Sequence, residues 1–216
     1  MTSTPRRWPH TVASGSVRSV RSPRCCSDVR TGGRPVVITI AHLDLREFAV
    51  HAAAVQSAAL GPVSPDRVAV YARHAAHPGF RAFGAFDETA LIGFAYGAAC
   101  RTGQWWFDQI SPSLRAAGYA PWISDPYAVT ELHVRPEYHG HGLGLALLTR
   151  LLSRVENPTA LLSTYDGDTR ARRLYAGLGF VDLITGFRFG TSSQGYALMA
   201  APLPLSVRQV DPARSA

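Results

Sequence analysis

Three glycines at alternate positions, Gly140, Gly142 and Gly144, stand between a run that reads as a strand and a run that reads as a helix. The strand run, Ala128 to Val134, is rich in β-branched residues and lies between Pro126 and Pro136. The helix run, Leu145 to Leu152, keeps apolar residues at helical spacing and meets no breaker before Pro158. A strand, a glycine-rich turn and a helix start bring several backbone N–H groups to one place. Helix N-termini leave such donors unpaired and carry partial positive charge, which suits an anion, above all a pyrophosphate. Glycine lets the backbone approach phosphates that a Cβ would hold off.

Two phosphate-binding turns are excluded by residue type and spacing. A P-loop needs Gly-x-x-x-x-Gly-Lys-Ser/Thr, and all 22 basic residues of this chain are arginine. A Rossmann turn needs Gly-x-Gly-x-x-Gly, whereas the spacing here is Gly-x-Gly-x-Gly, with no suitable strand and acidic residue downstream. A third pattern fits. Val134-x-Pro136 followed by His139-Gly140-His141-Gly142-Leu143-Gly144 resembles the acetyl-CoA signature of the GNAT N-acetyltransferases, Gln/Arg-x-x-Gly-x-Gly/Ala. His139 stands where the family usually has Gln or Arg. A second stretch, Asp168 to Phe180, resembles the family's Asn-x-x-Ala-x-x-Leu-Tyr-x-x-x-Gly-Phe at Ala171, Leu174, Tyr175, Gly179 and Phe180. Asp168 replaces the usual Asn and can still cap a helix.

The resemblance covers about residues 35–205 and implies an α/β (α+β) fold. In it a mostly antiparallel sheet of about seven strands is flanked by helices. A splay opens between the strand before the glycine turn and the next strand. It also implies acetyl-CoA as cofactor. Leu132, His133 and Val134 would pair with the pantetheine arm, and His139, Gly140, His141, Gly142, Leu143 and Gly144 would bind the pyrophosphate. Asp168, Ala171 and Tyr175 of the second signature complete the expected cofactor site. Tyr175 falls on the family's tyrosine, which donates a proton to departing CoA. A strand glutamate near the splay is a common base of the family, which points to Glu131. Glu131 and His133 alternate with Leu132 and Val134 and so share a face, and an imidazole has the more suitable ordinary pKa. Of the two, Glu131 is the expected base, acting directly or through a water, with His133 as the alternative. The implied activity is transfer of an acetyl group to a primary amine of a small molecule or protein. The alternative is a non-catalytic domain of this fold that binds or senses acyl-CoA.

Elements must hold these residues in place. Val36–Ala41 reads as the first strand, and Asp44 can cap a helix to about Leu60. Ser64-Pro65 opens a second helix to about His77, Ser64 as its cap and Pro65 at its first position. Phe80–Phe86 and Ala90–Gly97 form a hairpin around Asp87-Glu88-Thr89. From Arg101 to Tyr127 the pattern breaks, with a short helical piece around Pro112–Ala117. Trp105, Trp106 and Trp122 of that stretch either wall a substrate pocket or cap the core. Ala160–Tyr165 is a further strand, and two closing strands span about Val181–Phe189 and Gln194–Ala201. Gly179 is the natural residue to end the helix before Phe180. His74 and His77 read as solvated, with no metal site.

The net charge of +7 does not describe the whole chain. Residues 1–34 hold seven arginines against Asp28 alone, which leaves the remaining 182 residues near neutral. A nucleic-acid-binding face on the folded part is therefore not expected. Residues 1–34 lack apolar periodicity and read as a disordered basic tail, followed by one domain over 35–205 and a flexible tail over 206–216. Arg6-Arg7-Trp8 is followed by no apolar run of the length an export signal needs. Cys25, Cys26 and Cys100 make neither a disulfide framework nor a metal site. The expectation is a cytoplasmic protein with an amine substrate, no membrane partner, and a homodimer left open.

Overall fold

The β-branched run expected to open the domain does form a strand, second from one edge of the sheet. The computed structural model describes residues 28–31 and 34–205. The chain begins with β1 (Asp28–Thr31), β2 (Arg34–His42), α1 (Ala49–Leu60) and α2 (Arg67–His74). It continues with β3 (Arg81–Asp87), β4 (Ala90–Ala99), α3 (Trp105–Ala116), β5 (Pro126–Val134) and α4 (Leu143–Leu152). It closes with β6 (Thr159–Tyr165), α5 (Arg170–Gly177), β7 (Val181–Phe187) and β8 (Tyr196–Pro202). Among these residues the sheet order is β1-β2-β3-β4-β5-β6-β8-β7. Every neighbouring pair is antiparallel except β5 and β6. The seven strands from β2 to β8 match the expected sheet, and β1 adds an edge strand. The two tails, with Cys25 and Cys26, otherwise lie outside the described residues, and Asp28–Thr31 and Arg34 are in strands. No helix among the described residues is long and apolar enough to cross a membrane.

Each face of the sheet has its own helices. On one face α4 and α5 bury Leu147, Leu148, Leu151 and Tyr175 against Ala85, Ala95, Val129 and Met199. On the other, α1 and α2 bury Ala52, Val55 and Tyr71 against Phe94 and Tyr96. Beside them α3 buries Phe107, Ile110 and Leu114 against Leu161, Leu183 and Leu198.

Helix α3 corrects the expectation of a short piece around Pro112–Ala117. It is a 12-residue helix with Pro112 inside it. Phe107, Ile110, Ser111 and Leu114 are buried along one stripe at the i, i+3, i+4, i+7 spacing. An internal proline costs about 3 kcal/mol. Burying three large apolar side chains at about 1.5–3 kcal/mol each outweighs it. Trp106 caps this cluster, its Nε1–H donating to Ser163 Oγ at 3.0 Å, and Trp122 packs on the same cluster. Trp105 is largely exposed beside Phe189.

The helix starts lie later than expected, by about a turn in α1 and by two residues in α2. Asp44 accepts from the N–H groups of Arg46 (2.9 Å) and Glu47 (3.3 Å), and this turn leads into α1. Ser64 offers its carbonyl to Arg67 N–H at 3.0 Å, so regular helix begins at Arg67 rather than Pro65. His74 is not solvated as expected: its Nδ1 lies 2.9 Å from the hydroxyl of buried Tyr96.

Candidate active site

Strand β5 keeps its partner on one side and loses it on the other. Its ladder to β4 runs to Val134, but its ladder to β6 stops at Ala128↔Leu161. From Val129 onward the edge toward β6 has no strand partner, which is the expected splay. Backbone N–H and C=O groups on such an edge require partners, and an extended ligand with amide groups can supply them.

The glycine turn closes one end of this opening. Gly140 and Gly142 have φ of +86° and +72°, where glycine is favoured over other residues. Gly142 is the N-cap of α4 and no side chain caps that helix. The Gly142 carbonyl accepts from Ala146 N–H at 3.0 Å, so the N–H groups of Leu143, Gly144 and Leu145 precede the intrahelical ladder. A Cβ at Gly140 or Gly142 would meet nothing within 4 Å, so the space in front of the turn is open. At Gly144 a Cβ would lie 3.2 Å from Leu174, and glycine there lets α4 lie close to α5.

Two side chains brace the turn. His139 donates from Nε2 to the Val134 carbonyl at 2.8 Å, which ties the turn to the end of β5. The carbonyl only accepts, so Nε2 carries the hydrogen. Tyr138 donates to Asp87 at 2.8 Å and anchors the turn to the β3–β4 hairpin.

A cavity of about 660 Å³ lies over the turn and the splay. That size is ordinary for a small-molecule site. Of the residues expected to hold cofactor, Leu132, His133, Val134, His139, Gly140 and Gly142 line it. So do Leu143, Gly144, Ala171 and Tyr175, while His141 and Asp168 do not. Sequence reasoning missed Arg170, Arg173 and Leu60, which also line it. The arginines bring positive charge to a site whose turn already favours an anion. Uncapped helical N–H groups, an unpaired strand edge and two arginines fit the pyrophosphate and pantetheine of a CoA molecule.

Helix α5 brings Tyr175 to this cavity. Thr169, not Asp168, caps it, Oγ1 accepting from Arg172 N–H at 3.1 Å. Thr169 has the extended backbone of a cap, while Asp168 is exposed and pairs with Arg173. At the other end Phe180 N–H donates to Tyr175 O (3.1 Å) and Gly179 N–H to Ala176 O (3.0 Å). Gly179 has φ of +88°, and the rings of Tyr175 and Phe180 pack 5.8 Å apart. This paired closure with an apolar contact is a Schellman turn, and it fixes the direction of Tyr175. Tyr175 is 7% exposed. Burial first, and the charge of Glu131 second, hold its phenol well above the ordinary range.

Glu131 and His133 lie on the face covered by α1 and α2. Glu131 Oε1 pairs with Arg67 Nη1 at 3.2 Å, and Oε2 accepts from Gln56 Nε2 at 3.2 Å. Oε2 also lies 2.5 Å from His133 Nε2. Tyr71 donates to Gln56 Oε1 at 2.7 Å, so the amide that holds the carboxylate is itself held. Glu131 does not line the cavity; His133 does. Their shared face depends on a bulge in β5. Gly97 pairs with Val129 and Tyr96 with Glu131, so Thr130 is an extra residue. Before it Tyr127 and Val129 join the α4 face, and after it Leu132 and Val134 do.

A model of the acetyltransferase (GNAT) family matches residues 49–180, more than half of the chain. A GCN5-like protein acetyltransferase of Mycobacterium tuberculosis is 38% identical over 127 residues, covering 55% of this chain and 62% of that protein. The chain thus spans less than two thirds of that relative's length. Among solved structures, the ribosomal-protein-S18-alanine N-acetyltransferase from Escherichia coli is 18% identical with a TM-score of 0.57, covering 81% of this chain and 99% of that one. A Salmonella typhimurium protein solved with its cofactor acetyl-CoA is 20% identical with a TM-score of 0.53, covering 77% and 94%. At these identities the structural likeness is one of fold. The family model, the two signatures and the splayed sheet agree: the chain belongs to the GNAT acetyltransferase family.

Proposed function

We propose that this chain is an N-acetyltransferase that moves an acetyl group from acetyl-CoA to an amine of a small molecule or protein. The observation that carries this reading is one cavity that joins the open glycine turn, the unpaired edge of β5 and the hydroxyl-bearing Tyr175. Bound acetyl-CoA supplies the acetyl group as a thioester. The turn from His139 to Gly144 would hold its pyrophosphate by backbone N–H groups, with Arg170 and Arg173 adding charge. The edge from Leu132 to Val134 would align the pantetheine arm, which fixes the thioester relative to the amine.

Tyr175 keeps its proton on Oη at neutral pH, because burial and the charge of Glu131 both disfavour the phenolate. It is the group suited to protonate the departing sulfur. Glu131 and His133, on the far side of the sheet, supply the acceptor for the proton that the amine sheds. The similarity to a protein acetyltransferase of M. tuberculosis supports a protein amine as one class of acceptor.

The test is acetyl-CoA turnover over a panel of small amines and peptides, followed as free thiol. Amine-dependent thiol release is expected. Tight CoA binding with no amine-dependent release would favour a sensing domain instead.

A further inference from the structure

We propose that His133 is the base that takes the amine's proton, and that Glu131 is a positioning residue that sets the tautomer of its imidazole. The inference rests on the acetyl-transfer reading above and resolves which of the two residues does what.

Three observations carry it. The first is access. His133 lines the cavity that Tyr175 also lines, whereas Glu131 does not. The second is occupancy of the carboxylate. Oε1 is held by Arg67, and Oε2 by Gln56 and His133. Protonating this carboxylate would give up bonds to a guanidinium and an amide. The third is direction. A carboxylate facing a neutral imidazole only accepts, so Nε2 carries the hydrogen that points at Glu131. The lone pair is then on Nδ1. That atom has no hydrogen-bond partner among the described residues and is not one of their sealed, unpartnered atoms. A carboxylate that fixes the tautomer of a base, as partly buried Glu131 does here, also stabilises the imidazolium formed when the base takes a proton.

The rest of the neighbourhood keeps the carboxylate still. Tyr71 on α2 holds Gln56 on α1, and Gln56 holds Glu131. The His133 ring packs on Phe94 of β4 with centroids 5.5 Å apart. The charged and titratable groups near the pair are Arg67, Tyr71 and His74 on α2, Tyr96 on β4 and Tyr175 on α5. The three phenols are all held above their ordinary range, chiefly by burial, and so stay neutral near pH 7. His74 is held below its ordinary value, chiefly by burial.

The proton balance closes. The amine nitrogen forms the new bond to the acyl carbon and its proton goes to His133 Nδ1. The carbon–sulfur bond breaks with its electron pair on sulfur, which takes the Tyr175 proton. The imidazolium then gives one proton to solvent and the tyrosine regains one.

Two measurements test this. The first is ¹⁵N NMR of the ring nitrogens in histidine-labelled full-length protein, with His133→Gln used to assign the signals. It should show neutral His133 protonated at Nε2. The second is kinetic. Glu131→Gln can donate to Nε2 and so favours the wrong tautomer. It should lower kcat by about 10²–10⁴-fold, with CoA affinity by calorimetry within about twofold. His133→Gln should abolish the acidic limb of kcat/KM. An Nδ1–H tautomer in an active wild type, or an acidic limb that survives in His133→Gln with kcat within threefold, overturns the proposal while acetyl transfer stands. Where a variant does not fold, the wild-type tautomer decides alone. Absence of amine-dependent turnover in the wild type removes both readings together.

Discussion

Tyr175 and Glu131 stand on opposite faces of one sheet, yet the charge of Glu131 reaches the buried phenol and raises its pKa. The opening between β5 and β6 is where the sheet's own backbone no longer separates the two faces. The proposed proton donor and the proposed proton-accepting pair would therefore act on the same small volume. The first prediction tests the donor. Tyr175→Phe should lower kcat by about 10²–10⁴-fold, toward the low end because a thiol leaves readily, with CoA affinity within about twofold. Because the folded pKa is raised, Tyr175 stays protonated through pH 9, so the basic limb of wild-type kcat should not fall below that pH on its account. Turnover of Tyr175→Phe within twofold of wild type, with chemistry rate-limiting, would leave the hydroxyl only a packing role.

Gly142→Val should fold but lose CoA. A Cβ there has open space around it, so the apo protein tolerates the atoms. The φ of +72° does not suit a β-branched residue, and the added methyls would stand in front of the N–H groups of α4. Strain of about 1–3 kcal/mol, with blocked hydrogen bonds added, should weaken CoA binding by at least about 100-fold. Wild-type affinity by calorimetry in a folded variant would show that this turn does not hold the pyrophosphate.

Gly97→Ala should cost stability, by contrast. The new Cβ would lie 2.2 Å from the Ala128 carbonyl oxygen and 2.6 Å from Tyr127 Cε1, both deep in the sheet. A loss of about 3 kcal/mol is expected for such overpacking, which lowers the melting temperature by roughly 6–12 °C in a domain of this size. An unchanged melting temperature would mean that the β4–β5 bulge has room to move.

His74 should make the fold sensitive to mild acid. Burial first, and the neighbouring His77 next, hold its pKa below the ordinary 6.5. As pH falls below 6.5 the unfolded chain takes up a proton there that the folded chain resists. The stability tied to neutral His74 is thus present above pH 6.5 and is lost as pH drops toward the folded value. The fall in melting temperature from pH 7.5 to pH 5.5 should be smaller in His74→Gln. Equal falls in the two proteins would reject this account.

The parts of the site legible in the sequence were those whose cause is local. Gly140, Gly142 and Gly179 could be read because positive φ selects glycine within one turn. The glycine turn and the Tyr175 helix end follow from that. Arg67 and Gln56 could not be read, because they meet Glu131 from 64 and 75 residues away, through packing of α1 and α2 on the sheet. Helix α3 was half legible. Pro112 reads as a helix start, and only the buried stripe from Phe107 to Leu114 shows that the helix runs through it. Asp168 was the better cap by residue type, but Thr169 has the extended backbone a cap needs.

The extra residue at Thr130 makes β5 intolerant of small changes in length, though its own side chain is exposed. Replacing that side chain should matter little. Removing the residue would rotate everything after it by half a turn about the strand axis. Glu131 and His133 would then face α4, and Leu132 and Val134 would face α1 and α2. Insertions and deletions at this position, rather than substitutions, are therefore the changes that would turn the strand inside out.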